Sequence, residues 1–162
     1  MAQGEWLTDE EERAWRAFQR LRTVLPAQIF RDLLDDSGLS EPDYDVLSNL
    51  SETPERQRRL RDLAEHMVWS RSRLSHHIDR MQKRGLVARA TDPDDARGCV
   101  IVLTPSGLDA VQRAAPAHVR SVRRHLFEVL DDRQVAAVAD LSELIVEHLG
   151  DPSGPRAARR RS

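Results

Sequence analysis

The segment SRSRLSHHIDRMQKRG, residues 70–85, holds the densest set of side chains able to do chemistry in this chain. At 3.6 residues per turn, Leu74, Ile78 and Met81 share one helical face. With that face turned to a core, Ser72, Ser75, His76, Asp79, Arg80 and Lys83 point away from it, and Arg71 and Arg73 flank the start. An arginine can grip guanine O6 and N7 with two hydrogen bonds, and serine or histidine can bond base edges or phosphates. Free backbone N–H groups around Ser70–Ser72 suit a phosphate. Asp79 suits a phosphate poorly and is expected to orient a neighbouring arginine. The pattern therefore suggests reading of a duplex groove; the plain alternative is a solvated charged face.

Other chemistries fit less well. His76 and His77 point about 100° apart on a helix and cannot easily share an ion, so no metal is expected. Ser75, His76 and Asp79 have the residue types of a hydrolase triad, but no glycine-bounded serine on a strand-to-helix elbow accompanies them, so no enzyme and no cofactor are expected. The single cysteine, Cys99, excludes an internal disulfide and is expected to pack. Trp69 stands either under the turn as a packing anchor or at phosphate level.

Charge supports a localised footprint. The chain carries a net charge of −2, which alone argues against a polyanion partner. Its distribution argues the other way. Residues 56–84 hold nine Lys and Arg against three acids, whereas residues 1–55 hold five Arg against thirteen acids. No run of about 18 apolar residues is present and the first residues lack an apolar signal core. A cytoplasmic protein without a membrane partner is the expectation.

The elements that must position these residues read as helices with one hairpin. Thr8 and Glu11 have capping-box spacing, and Trp15, Phe18, Leu21, Leu25, Ile29 and Leu33 then recur at helical spacing up to a stop at Asp36–Gly38, with a kink expected at Pro26. Ser40 and Asp43 repeat the capping pattern before a short helix. Leu60, Leu63, Ala64 and Met67 mark a third helix, and Ser70 or Ser72 caps the fourth, which Gly85 closes. Residues 86–90 and 99–103 read as strands joined by the long polar loop TDPDDARG. Thr104 and Pro105 start a long amphipathic helix, expected to be interrupted near Pro116, and Asp131 opens a last one.

Helix, tight turn, helix and hairpin is the order of a winged helix-turn-helix. The segments LAEHMVWSRSRLSHHIDRMQKRGLV and DPDDARGCVIVLTPSG strongly resemble the MarR family of bacterial regulators. The resemblance rests on Asp79, Arg80, Gly85, Leu86, Val87, Asp95, Arg97, Leu103, Thr104 and Gly107, and spans residues 8–149. It implies a mainly α fold of six helices with a small β-hairpin wing, dimerising through its N- and C-terminal helices. The expected parts are a dimerisation helix over 1–36, a DNA-binding lobe over 37–103, dimerisation helices over 104–150 and a disordered basic tail over 151–162.

The implied function is transcription regulation, as a repressor, by a homodimer on a pseudo-palindromic double-stranded operator. Ser70, Arg71, Ser72, Arg73, Ser75, His76, Arg80 and Lys83 are the expected DNA contacts. Arg97 at the hairpin tip is expected in the minor groove, where a narrow groove attracts arginine, with Asp95 holding its guanidinium. In the family, small aromatic ligands bind near the first, second and fifth helices. Trp15, Phe18, Tyr44 and His118 could line such a site, and core packing explains the same spacing equally well. The alternative function is a winged-helix module for protein–protein contact that has lost DNA binding.

Overall fold

The structure, a computed structural model, describes residues 6–92 and 95–150, apart from the side chains of Ala96 and Arg97. The expected basic tail lies outside these residues. Helix α1 runs Asp9–Ser37, with Thr8 and Glu11 forming the capping box and Gly38 closing it at φ 70°. It continues through Pro26. Helix α2 spans Glu41–Ser51 behind a second capping box, Ser40 with Asp43. Strand β1 (Gln57–Arg59), helices α3 (Leu60–His66) and α4 (Arg71–Lys83), strands β2 (Val87–Asp92) and β3 (Asp95–Leu103), and helices α5 (Pro105–His125) and α6 (Asp132–Leu149) complete the order. A single 3₁₀ turn, Phe127–Val129, joins α5 to α6.

Three sequence expectations need correction. The interruption near Pro116 does not occur: α5 is continuous through it and breaks only at Leu126. A proline removes one backbone donor, and here the bonds of the flanking turns carry the helix past the gap. The hairpin loop is shorter than composition suggests, because β2 extends to Asp92 and β3 begins at Asp95, paired Asp92 with Asp95. Polar residues can extend a ladder through their backbones alone, and a reading based on apolar alternation misses them. Strand β1 was not expected either. Three polar residues carry no alternation signal, yet they pair antiparallel with β3, giving the sheet order β1-β3-β2.

The core lies between the C-terminal end of α1, helices α2, α3, α4 and α5, and the sheet. Leu33, Leu47, Leu50, Leu63, Leu74, Ile78, Met81 and Ile101 are its fully buried large side chains. Each contributes about 1.5–3 kcal/mol on leaving water, which holds α4 firmly by its apolar face. The two ends of the chain differ. The N-terminal half of α1 exposes Trp15, Phe18, Leu21 and Val24, and α6 has no buried residue at all. Among the described residues, no helix is long and apolar enough to cross a membrane.

Candidate nucleic-acid interface

Ser70 caps α4: its hydroxyl accepts from the Arg73 N–H at 3.2 Å. Leu74, Ile78 and Met81 are buried, as their spacing predicts, but His77 joins them on the inner face. Arg80 can only donate, so its 2.9 Å contact makes His77 Nδ1 the acceptor and leaves the ring proton on Nε2. Nε2 faces Asp43 Oδ1 at 3.2 Å, without the alignment of a proper hydrogen bond. Asp43 Oδ2 takes Arg84 at 2.7 Å and the Ser40 hydroxyl at 2.8 Å. Burial pushes the Asp43 carboxyl up, but His77, Arg84 and Ser40 outweigh it and hold the group below the usual carboxylate range. Asp43, the capping-box partner of Ser40, thus ties the start of α2 to α4. The sequence shows the Ser40–Asp43 cap and gives no local sign of its partners on α4.

With α4 held this way, Ser70, Arg71, Ser72, Arg73, His76, Arg80 and Lys83 are all exposed. Arg73 lies over the Trp69 ring, 3.9 Å from its centroid, and Trp69 packs edge-on against His77 at 5.9 Å. Trp69 is therefore a packing anchor that also steadies an arginine. Ser75 departs from expectation. It is half-buried, and both its hydroxyl and its carbonyl accept from Arg89 at 3.0 Å. It lies on the seam with the hairpin rather than on the free face, because β2 covers that side of α4. Asp79 does orient an arginine, and that arginine is Arg89 of the hairpin, at 2.8 Å.

The wing is braced on its other side. Asp92 is buried and pairs with Arg59 of β1, Nε to Oδ2 at 2.5 Å. Gly98 makes room for it: a Cβ there would stand 2.7 Å from Asp92 Cβ. Asp95 is exposed at the start of β3, and the backbone of Arg97 lies two residues on in the same strand. The expected contact between their side chains falls outside the described residues. Sequence reasoning missed Arg59, Arg89 and Asp92, whose partners are distant in the chain.

The aromatic residues divide into two groups. Tyr44 and His118 meet with ring centroids 4.6 Å apart, and Phe30 stacks on His118 at 6.3 Å. His118 Nδ1 is buried without a hydrogen-bond partner, and burial pushes this imidazole below its ordinary pKa. Trp15 and Phe18 stack on each other at 6.0 Å, but on the exposed early turns of α1, roughly 20 Å along the helix from Phe30. Within one chain, Tyr44 and His118 come together and Trp15 and Phe18 do not join them.

This geometry, a helix held by its apolar face beside a braced hairpin, defines a winged helix-turn-helix protein. A sequence profile described as the MarR family matches residues 37–98. The chain is 41% identical to AbsC, a MarR family transcriptional regulator from Streptomyces coelicolor, over 90% of this chain and 97% of that one, with a TM-score of 0.83. It is 36% identical to Sco3205, a MarR family transcriptional regulator from the same organism solved in complex with DNA, over 89% of this chain and 94% of that one, with a TM-score of 0.84. It is also 30% identical over 101 residues to the transcriptional regulator HosA of Escherichia coli O111:H-, covering 62% of this chain and 73% of that protein. The chain belongs to the MarR family of transcriptional regulators.

Proposed function

We propose that this chain is a homodimeric repressor that reads a pseudo-palindromic operator in double-stranded DNA. The observation that carries the reading is the outer face of α4. Arg71, Ser72, Arg73, His76, Arg80 and Lys83 stand exposed together on a helix locked from behind. That face enters the major groove, with base contacts from its N-terminal half, and Arg97 on the wing follows the adjacent minor groove. The relative Sco3205 was solved with DNA, which supports the same partner here.

A second copy covers the exposed apolar residues of α1, α5 and α6 and sets two copies of α4 one helical turn apart. The bound dimer blocks transcription sterically. A small aromatic effector seated by Tyr44 and His118 would release it, since these residues join α2 to α5 and the unpartnered His118 Nδ1 offers one polar handle.

Titration of duplex binding against salt tests the DNA reading. A dimer making 6–10 phosphate contacts loses about 10³–10⁵ in affinity between 50 and 200 mM salt. A flat salt response would remove the DNA reading.

A further inference from the structure

Arg89 lies in the middle of β2, in register with Ile101 of β3, on the side of the sheet that packs against α4. One guanidinium nitrogen reaches Ser75 O and Ser75 Oγ at 3.0 Å and Asp79 Oδ1 at 2.8 Å, while the other stands 3.5 Å from Cys99 Sγ. Ser75 and Asp79 are one helical turn apart, so a single side chain spans a full turn of the recognition helix. Burial works against the charge of Arg89, but Cys99 and Asp79 outweigh it and raise its pKa. The side chain is 26% exposed, and its two terminal nitrogens are engaged by Ser75, Asp79 and Cys99. It is not placed to hold a phosphate.

We infer that Arg89 is a positioning residue that sets the angle of the wing to α4, so that discrimination between DNA sequences depends on a side chain that touches no DNA. The inference rests on the DNA reading above. A duplex is read here by two elements at once, the outer face of α4 and the tip of the hairpin, and both must meet their grooves in one register. Arg59 with Asp92 fixes the hairpin to β1, and Arg89 ties the α4-facing side of the hairpin to Ser75 and Asp79, away from the joint at Gly85 and Leu86. One terminal nitrogen of Arg89 holds the Ser75 carbonyl and the Asp79 carboxylate while the other stays on Cys99; a lysine ammonium keeps the charge but has a shorter reach and no second nitrogen, so it cannot keep all of these contacts.

The test uses the full chain, as native protein, Asp79→Asn and Arg89→Lys. The probes are the best duplex that the native protein selects from a randomised library, and a scrambled duplex of the same length and composition. The readout is the ratio of the two affinities, at a temperature where all three proteins are folded. Asp79→Asn removes a negative charge near the interface, which strengthens binding to both duplexes alike and cancels in the ratio. The expected result is a ratio lowered about tenfold or more in both variants, the scale of losing one well-formed base contact. The scrambled duplex keeps its salt slope. Cys99, the only cysteine, reports on the clamp directly, and its alkylation by iodoacetamide should quicken in both variants. A ratio unchanged in both variants overturns the proposal while leaving DNA binding in place. A native protein that prefers no duplex overturns the DNA reading and this inference together.

Discussion

Gly107 and Leu86 approach more closely than any side chain allows: a Cβ on Gly107 would stand 2.0 Å from the Leu86 carbonyl oxygen. The same oxygen accepts from the Thr104 hydroxyl at 2.9 Å, and that hydroxyl also meets Gly85 O at 2.6 Å while capping α5. The first turn of α5 is thereby set directly on the joint between α4 and β2. The helix proposed to dimerise and the helix proposed to read DNA share one rigid contact. Gly107→Ala must push α5 off this seat and is expected to cost about 3 kcal/mol or more. Gly38→Ala is the comparison, since a Cβ there meets nothing within 4 Å and pays only for its φ of 70°, about 1–2 kcal/mol. Urea denaturation measures both. Equal losses would mean that the joint is slack.

The same residues show what the sequence makes legible. Gly85, Thr104 and Gly107 stand out as a motif, and the capping boxes at Thr8 and Ser40 appear in the structure where their spacing places them. These features are local: cap and capped group lie within four residues. The apolar spacing of Leu74, Ile78 and Met81 also predicts the buried face of α4, because a helix converts spacing into direction. What stays hidden is pairing at long range. Asp43 with Arg84 and Arg89 with Asp79 join residues from different elements, and no periodicity marks them. Ser75 was misplaced for this reason: helical spacing puts it outside the core, and only the packed hairpin shows that the position is covered.

Asp45 makes stability depend on pH. Its carboxyl is pushed up from 3.8 to about 6, first by burial and then by Glu41 one turn earlier. The folded chain therefore keeps this proton at pH values where the unfolded chain has released it. The contribution of this group to stability should fall as pH rises from 3.8 to about 6 and stay level above that window. Asp45→Asn removes the group without changing its shape. It should flatten this part of the profile and, allowing for partial exposure, stabilise the protein at neutral pH by about 1 kcal/mol. Denaturation on both sides of the window checks it, and an unchanged profile would locate the pH dependence elsewhere.

Assembly can be tested on α6. Leu141 and Leu144 are 58% and 65% exposed in the single chain. If a two-fold partner covers them, the exposed parts of four leucines leave water per dimer, contributing about 4–7 kcal/mol. The double substitution Leu141→Glu with Leu144→Glu should therefore sediment as a monomer at micromolar concentration, where the native protein is expected to sediment as a dimer. Duplex selection should be lost along with the partner. A native chain that stays monomeric and still selects a duplex would contradict two-fold recognition.

Base reading and groove positioning should separate at His76 and Arg97. His76 is exposed on the outer face of α4, one residue past Ser75. His76→Ala should relax preference at particular base pairs, by about 1–3 kcal/mol where the contact is a good one. Arg97 lies on the wing, where an arginine senses groove width more than base identity. Arg97→Ala should weaken binding to every duplex, most where the flanking minor groove is narrow. Ser75→Ala should behave differently from both, because its hydroxyl is bonded to Arg89. It keeps the carbonyl and Asp79 contacts of the clamp, so only a modest loss of discrimination is expected. Binding of each variant to a randomised duplex library, with melting measured alongside, separates the three patterns. If Arg97→Ala leaves affinity intact for every sequence while the protein melts as before, the hairpin makes no DNA contact through this residue. The minor-groove role assigned to it would then be wrong.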